Sequence, residues 1–124
     1  MFFVIVCLFV GLACSDPEKV PKDIIPKEKM EKVLWDMMLA DRYASQFIMR
    51  DSLKVNVKEE TFKLYDQVFQ VNQISKDEFI KSYKYYLNRP DLTKVMFDSL
   101  SARGSRARDT LYKKTLTKPQ NKPS

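Results

Sequence analysis

Apolar positions fall into one unbroken run followed by four periodic stretches. The run is residues 1–13, MFFVIVCLFVGLA, in which 12 of 13 residues are apolar and none is charged. From Pro26 the pattern becomes helical. Met30, Val33, Leu34, Met37, Met38 and Ile48 fall at i, i+3, i+4, i+7, i+8 and i+18, one face of a 3.6-residue period. Pro26 suits the first helical position. A second helix is predicted from near Asn56, where Glu59 makes a weak capping box. Phe62, Leu64, Tyr65, Val68, Phe69 and Val71 cover about half of its circumference. Ser75-Lys76-Asp77-Glu78 is a fuller capping box for a third helix, with Phe79, Ile80, Tyr83, Tyr86 and Leu87 on one face. Pro90 ends it. A fourth helix runs from about Asp91 through Leu92, Val95, Met96 and Leu100 toward Leu111 or Leu116. Gly104 weakens its middle by ~1 kcal/mol relative to Ala. No segment alternates long enough to predict a strand.

These stretches predict an all-α fold, a small three- to four-helix bundle, because each apolar stripe must be buried against another. A chain of 124 residues holds one such domain. Residues 1–13 are too short for a membrane-spanning helix, which takes ~17–25 residues. They match the apolar region of a secretory signal peptide. Residues 14–25 carry Pro17 and Pro21 amid mixed charge and are expected to form an extended tether. The helical domain is expected over 26–116. Residues 117–124, with Pro119 and Pro123, are expected to be a disordered basic tail.

Charge changes the picture at the C-terminal end. The chain has 22 Lys+Arg and 16 Asp+Glu, a net charge of +6. Residues 15–100 hold 15 of each sign, so the whole excess lies in residues 101–124. There Arg103, Arg106, Arg108, Lys113, Lys114, Lys118 and Lys122 face Asp109 alone. An exported chain has little occasion to meet nucleic acid, so this basic end is expected to be a solvated tail, with anionic lipid or lipopolysaccharide phosphate as the alternative contact. The chain has no His, which removes the commonest general base and metal ligand. Its two Gly exclude a P-loop or dinucleotide-binding turn. No cofactor, metal site or enzymatic activity is expected.

Few side chains invite a functional reading. At 100° per residue, Asp41 falls between Met37 and Met38, inside the apolar stripe. A carboxylate there needs a partner. Either it is a structural anchor bonded to Tyr83, Tyr86 or Arg89 of the third helix, or it is the polar anchor of a ligand or peptide groove. Asp36 lies on the flank of the same helix and points away from Asp41, so the two make a poor acid/base pair. A hydrolase would have to draw on Asp36, Asp41 or Ser82. Tyr83, Tyr85 and Tyr86 interleave with Lys84 and Arg89. Tyr83 and Tyr86 are expected at the core edge, with Tyr85 free for contact.

Two resemblances add to this reading. Gly11-Leu12-Ala13-Cys14 resembles the lipobox of bacterial lipoproteins. It implies cleavage before Cys14 and acylation of its thiol, leaving a mature chain with a single, lipid-modified Cys. At ~0.8 kcal/mol per buried methylene, two or three acyl chains would hold the domain on a membrane. The stretches IIPKEKMEKVLWDMMLADRYAS, FKLYDQVF and ISKDEFIKSYKYYLNRPDLTKVMFDSL resemble domain of unknown function 4296, a family of small Bacteroidota lipoproteins. The most specific piece is Ser75 to Glu78, Phe79, Ser82, Tyr85-Tyr86-Leu87 and Pro90, and the family also has acidic residues where Asp36 and Asp41 stand. The resemblance implies an all-helical envelope lipoprotein and supplies no activity, cofactor or partner. Ser15-Asp16-Pro17-Glu18 is similar to the acidic signal that sends such lipoproteins to the cell surface, and Ser15 suits outer-membrane sorting. The expectation is therefore a lipid-anchored outer-membrane protein, on the periplasmic face or the cell surface. Its helical domain would be a non-enzymatic protein-interaction module. The alternative is a peptide-binding or chaperone-like module with a Met/Tyr-lined groove near Asp41.

Overall fold

A computed structural model describes residues 19–51 and 53–117. These residues form four α-helices and no strand, as the periodicity predicts. Helix α1 is Lys27–Tyr43, α2 Val57–Val71, α3 Lys76–Leu87 and α4 Pro90–Leu116. Past its end, α1 continues as a π-helical turn, Ala44–Ile48, and a 3-10 turn, Met49–Asp51.

Local chemistry explains each boundary. Pro26 stands one place outside α1, with ψ at 150°, rather than at its first helical position. The Asn56 side chain accepts from the Glu59 N–H at 3.2 Å and caps α2. The Glu59 carboxylate pairs with Lys63 instead of completing a box. Ser75 and Glu78 form the full reciprocal box of α3, at 3.1 and 2.6 Å. Pro90 opens α4 one residue earlier than predicted, where its missing N–H costs nothing. The turn from α2 to α3 has a cause the pattern did not signal. The N–H of Ile74 donates to Phe69 O and that of Gln73 to Gln70 O, with Gln73 at φ 53°. This is a Schellman turn with glutamine in the left-handed position that glycine usually takes.

Helices α1 and α2 run antiparallel, since Asp36 meets Asn72 while Asp41 meets Tyr65. Helices α1 and α4 run parallel: Glu31 meets Ser99, and Arg103 lies over Trp35. One core cluster gathers Ile24, Ile25, Met30, Tyr86, Leu92 and Met96. A second joins Val33, Ala40 and Val68. Ile74 and Phe79 pack against both and weld them together.

Two expectations need correction here. The tether predicted over 14–25 ends early, because Ile24 and Ile25 are core residues at 6% and 7% exposure. Ser82 Oγ accepts from the Ile25 N–H at 2.8 Å, and the Tyr86 hydroxyl donates to Ile25 O at 2.7 Å. Helix α3 thus grips one residue by both of its backbone polar groups. The buried face of α1 is also rotated from the predicted stripe. Its buried residues are Met30, Val33 and Ala40, with Ala44 one turn further, while Met38 is 48% exposed. Small alanines allow α2 to approach closely, and a stripe drawn through large side chains misses them.

Helix α4 divides in two. Its buried residues, Leu92, Met96 and Leu100, all lie in its first 11 positions. From Ser101 to Thr117 every residue but Gly104 is exposed.

Candidate functional site

Asp41 does not lie in the apolar stripe. It is exposed, and its carboxylate accepts from the Tyr65 hydroxyl of α2, not from the third helix. The rotation of α1 moves it out of the core. Its bond, then partial burial, then its charge, pushes the Tyr65 hydroxyl up to about 12. Asp36 sits in a closed polar ring. Lys32 Nζ donates to Asp36 and to Asn72 Oδ1, each at 2.8 Å, and Asn72 Nδ2 donates to Asp36 at 2.9 Å. Burial pushes the Asp36 carboxyl up. The bonds from Lys32 and Asn72, with the charges of Lys32 and Arg103, outweigh it and hold the group below the usual carboxylate range. Asn72, 6% exposed, is the hub that sequence reasoning missed. A polar residue just past an apolar stripe looks like an ordinary helix cap.

The tyrosine assignment is partly reversed. Tyr86 is buried at 1% exposure, as expected, and burial, with the charges around it, raises its hydroxyl to about 12. Tyr85, expected to face outward, packs on the first core cluster and receives a 3.1 Å bond from Arg89. Tyr83 is the outward one, 39% exposed and stacked on Phe79 at 5.8 Å between centroids. The cause is Ser82: a small polar residue with no exposed surface lies in the middle of the buried face and shifts that face away from Tyr83. Arg89 forks onto Asp91 at 2.7 and 3.0 Å, which raises its already high pKa. Asp36, Asp41 and Ser82 therefore each answer to a different partner and do not converge.

Two clefts stand out by their linings. A cavity of about 350 Å³ between α1, α2 and α3 is lined by Met37, Phe62, Tyr65, Phe69, Phe79 and Ile80. With one Met, one Tyr and three Phe, its lining differs from the Met/Tyr-lined groove expected near Asp41. Asp66 and Lys76 add opposite charges to its lining. A wider cleft of about 550 Å³ separates α1 from the second half of α4. Trp35 and Leu39 face Gly104, Ala107 and Leu111 across it, and Arg42, Arg103, Arg106 and Arg108 also line it. The Arg103 guanidinium lies 4.4 Å from the Trp35 ring centre. Among the described residues, no ion pair joins Arg42, Arg106 or Arg108 to a carboxylate. Trp35 drew no notice in the sequence, because its partner is 68 positions away. The basic end is therefore helical as far as Leu116.

A profile of the family described as Domain of unknown function (DUF4296) matches residues 21–110. The chain belongs to this family. The family match begins at Pro21, just before the gripped Ile25, and takes in the α1–α4 cleft almost to Leu111. No curated protein and no solved structure matches the chain. Family membership thus leaves the activity open. Cys14, Ser15 and Asp16, residues 1–13 and residues 118–124 lie outside the described residues. No described helix is long and apolar enough to cross a membrane.

Proposed function

We propose that this is a non-enzymatic, lipid-anchored protein of the bacterial envelope whose helical domain docks another protein. One observation carries the docking: the second half of α4 leaves Leu111, Tyr112 and Leu116 between 61% and 67% exposed on a helix with almost nothing behind it. Isolated helices of this length are marginal in water, so a surface that covers this one gains stability with its contact. The C-terminal end of α1 and the turn after it add Leu39, Tyr43 and Phe47, each about half exposed. The non-enzymatic reading is supported by the separate ties of Asp36, Asp41 and Ser82. The anchor reading is supported by the Gly11–Cys14 motif, and the outer-membrane reading by Ser15 after the cysteine.

A photo-crosslinking residue at Leu111 in intact cells tests the docking. A discrete protein adduct is expected there and not at Lys94, on the solvent side of the packed half. Absence of any adduct at Leu111, in a folded and correctly fractionated protein, ends the reading. For the anchor, Cys14→Ala is expected to abolish labelling by a palmitate analogue and leave the precursor uncleaved; labelling at wild-type level overturns it. A second reading, capture of an apolar side chain in the α1–α2–α3 cleft, is favoured by Phe62, which is 53% exposed at its rim. An adduct at Phe62 rather than Leu111 would select it.

A further inference from the structure

We infer that the cleft between α1 and α4 receives an acidic amphipathic helix of the partner protein, its apolar face on Trp35, Leu39 and Leu111 and its carboxylates on the flanking arginines. This rests on the docking reading above and names the chemistry of what docks.

The register of the two helices builds the groove. Glu31–Ser99 and Trp35–Arg103 are both separated by 68 positions, so α1 and α4 advance side by side. Beyond Trp35 the facing residues of α4 become small, Gly104 and then Ala107, and the space between the helices opens to about 550 Å³. The groove extends from Trp35 to Arg42, about two helical turns, which suits apolar anchors at i, i+3 or i+4 and i+7 on an incoming helix.

Charge selects the sign of that helix. Arg42 comes from α1, and Arg103, Arg106 and Arg108 from α4. The charge of Arg103 helps hold the Asp36 carboxyl low. The other three have no carboxylate partner among the described residues. A like-charged or neutral segment would leave them unanswered, whereas Glu or Asp at helical spacing pairs with them in the forked geometry arginine favours. Shape separates this site from a flat lipid surface. The apolar residues sit on concave walls between two helices, which a flat bilayer does not enter but a single helix does.

The test uses the purified full chain and a fluorescein-labelled designed helix with leucines on one face and glutamates flanking them. Fluorescence anisotropy is expected to show this helix binding at least ~10-fold more tightly than its lysine counterpart, with the affinity falling as salt rises. Arg42→Glu and Arg106→Glu, both at exposed positions, are each expected to weaken it ~10-fold or more while leaving the circular dichroism unchanged. Should either reversal disturb α4, Arg106→Gln is expected to weaken binding several-fold in a folded chain. Equal affinity for the two helices, no binding of the glutamate helix, or binding indifferent to the arginines overturns the assignment. Phosphatidylglycerol vesicles that displace the helix, where phosphatidylcholine vesicles do not, reassign the groove to lipid. A cellular adduct at Leu111 that persists while the glutamate helix fails refutes this inference and leaves docking standing; absence of the adduct refutes the docking itself.

Discussion

Between Pro90 and Leu100, α4 buries a residue every turn, and Leu92, Met96 and Leu100 keep only 2–4% of their surface exposed. Between Ser101 and Leu116 the same helix buries none. The backbone is helical throughout, so the difference lies wholly in what surrounds it. The first half is stabilised by packing. The second propagates from the first, adding hydrogen bonds without covering apolar surface. It also carries most of the chain's excess positive charge. A helix extended past its own core in this way has a face left over for something else.

The strongest way to break the contrast is truncation in each half. Met96→Ala, at a 2%-exposed site, is expected to cost ~2–5 kcal/mol in urea unfolding. Leu111→Ala, at 61% exposure, should stay within ~0.5 kcal/mol. Equal losses would mean that the second half is packed after all.

Next comes the polar ring behind the packed half. Asn72→Ala is expected to cost ~1–3 kcal/mol, because it strips two charged side chains of their shared partner. The same ring sets a pH dependence. Folding depresses the Asp36 carboxyl, so its contribution is complete above the unfolded carboxylate value, near pH 4, and is lost as pH falls through the folded value. Denaturant midpoints between pH 6 and 2 should show this acid loss in the wild type and a shallower one in Asn72→Ala. A steeper loss in the variant would contradict the ring.

Smaller effects sharpen the comparison from the other direction. Gln73→Gly relieves a left-handed residue in the α2–α3 turn and is expected to raise stability by about 1 kcal/mol. Gly104→Ala should raise helix content by far-ultraviolet circular dichroism and move the global midpoint by less than the ~1 kcal/mol of its propensity gain. A Cβ there meets Arg108 and Trp35 at 3.9 and 4.0 Å, ordinary contact. A full shift of the midpoint would show that the two halves unfold together.

Much of this fold could be read from local rules. Ser75 with Glu78, Asn56 and Pro90 mark helix starts through atoms within four residues, and the bundle follows from four apolar stripes. What escaped depends on distant partners. Ala40 and Ala44 define the buried face of α1 only because α2 comes close. Ser82 looks like a surface residue until the Ile25 peptide arrives 57 positions away. Asp41 followed from the wrong phase, and Tyr83 and Tyr85 exchanged places for the same kind of reason. A Met/Tyr-lined groove was expected near Asp41, but the cleft found there is lined by three phenylalanines, two from α2 and one from α3. The arginine-lined cleft was visible only as a run of charge, since neither Trp35 nor the α1–α4 register can be inferred from spacing within one helix.

The grip of α3 on Ile25 has a mechanical meaning. A tug on the chain from the N-terminal side meets Ser82 and Tyr86 before it reaches the first turn of α1. Two hydrogen bonds and two buried isoleucines must then shear together, rather than α1 unwinding one residue at a time. The bundle is thus fitted with a strain relief at the point where its leading segment joins it, and load applied to that segment is handed to α3.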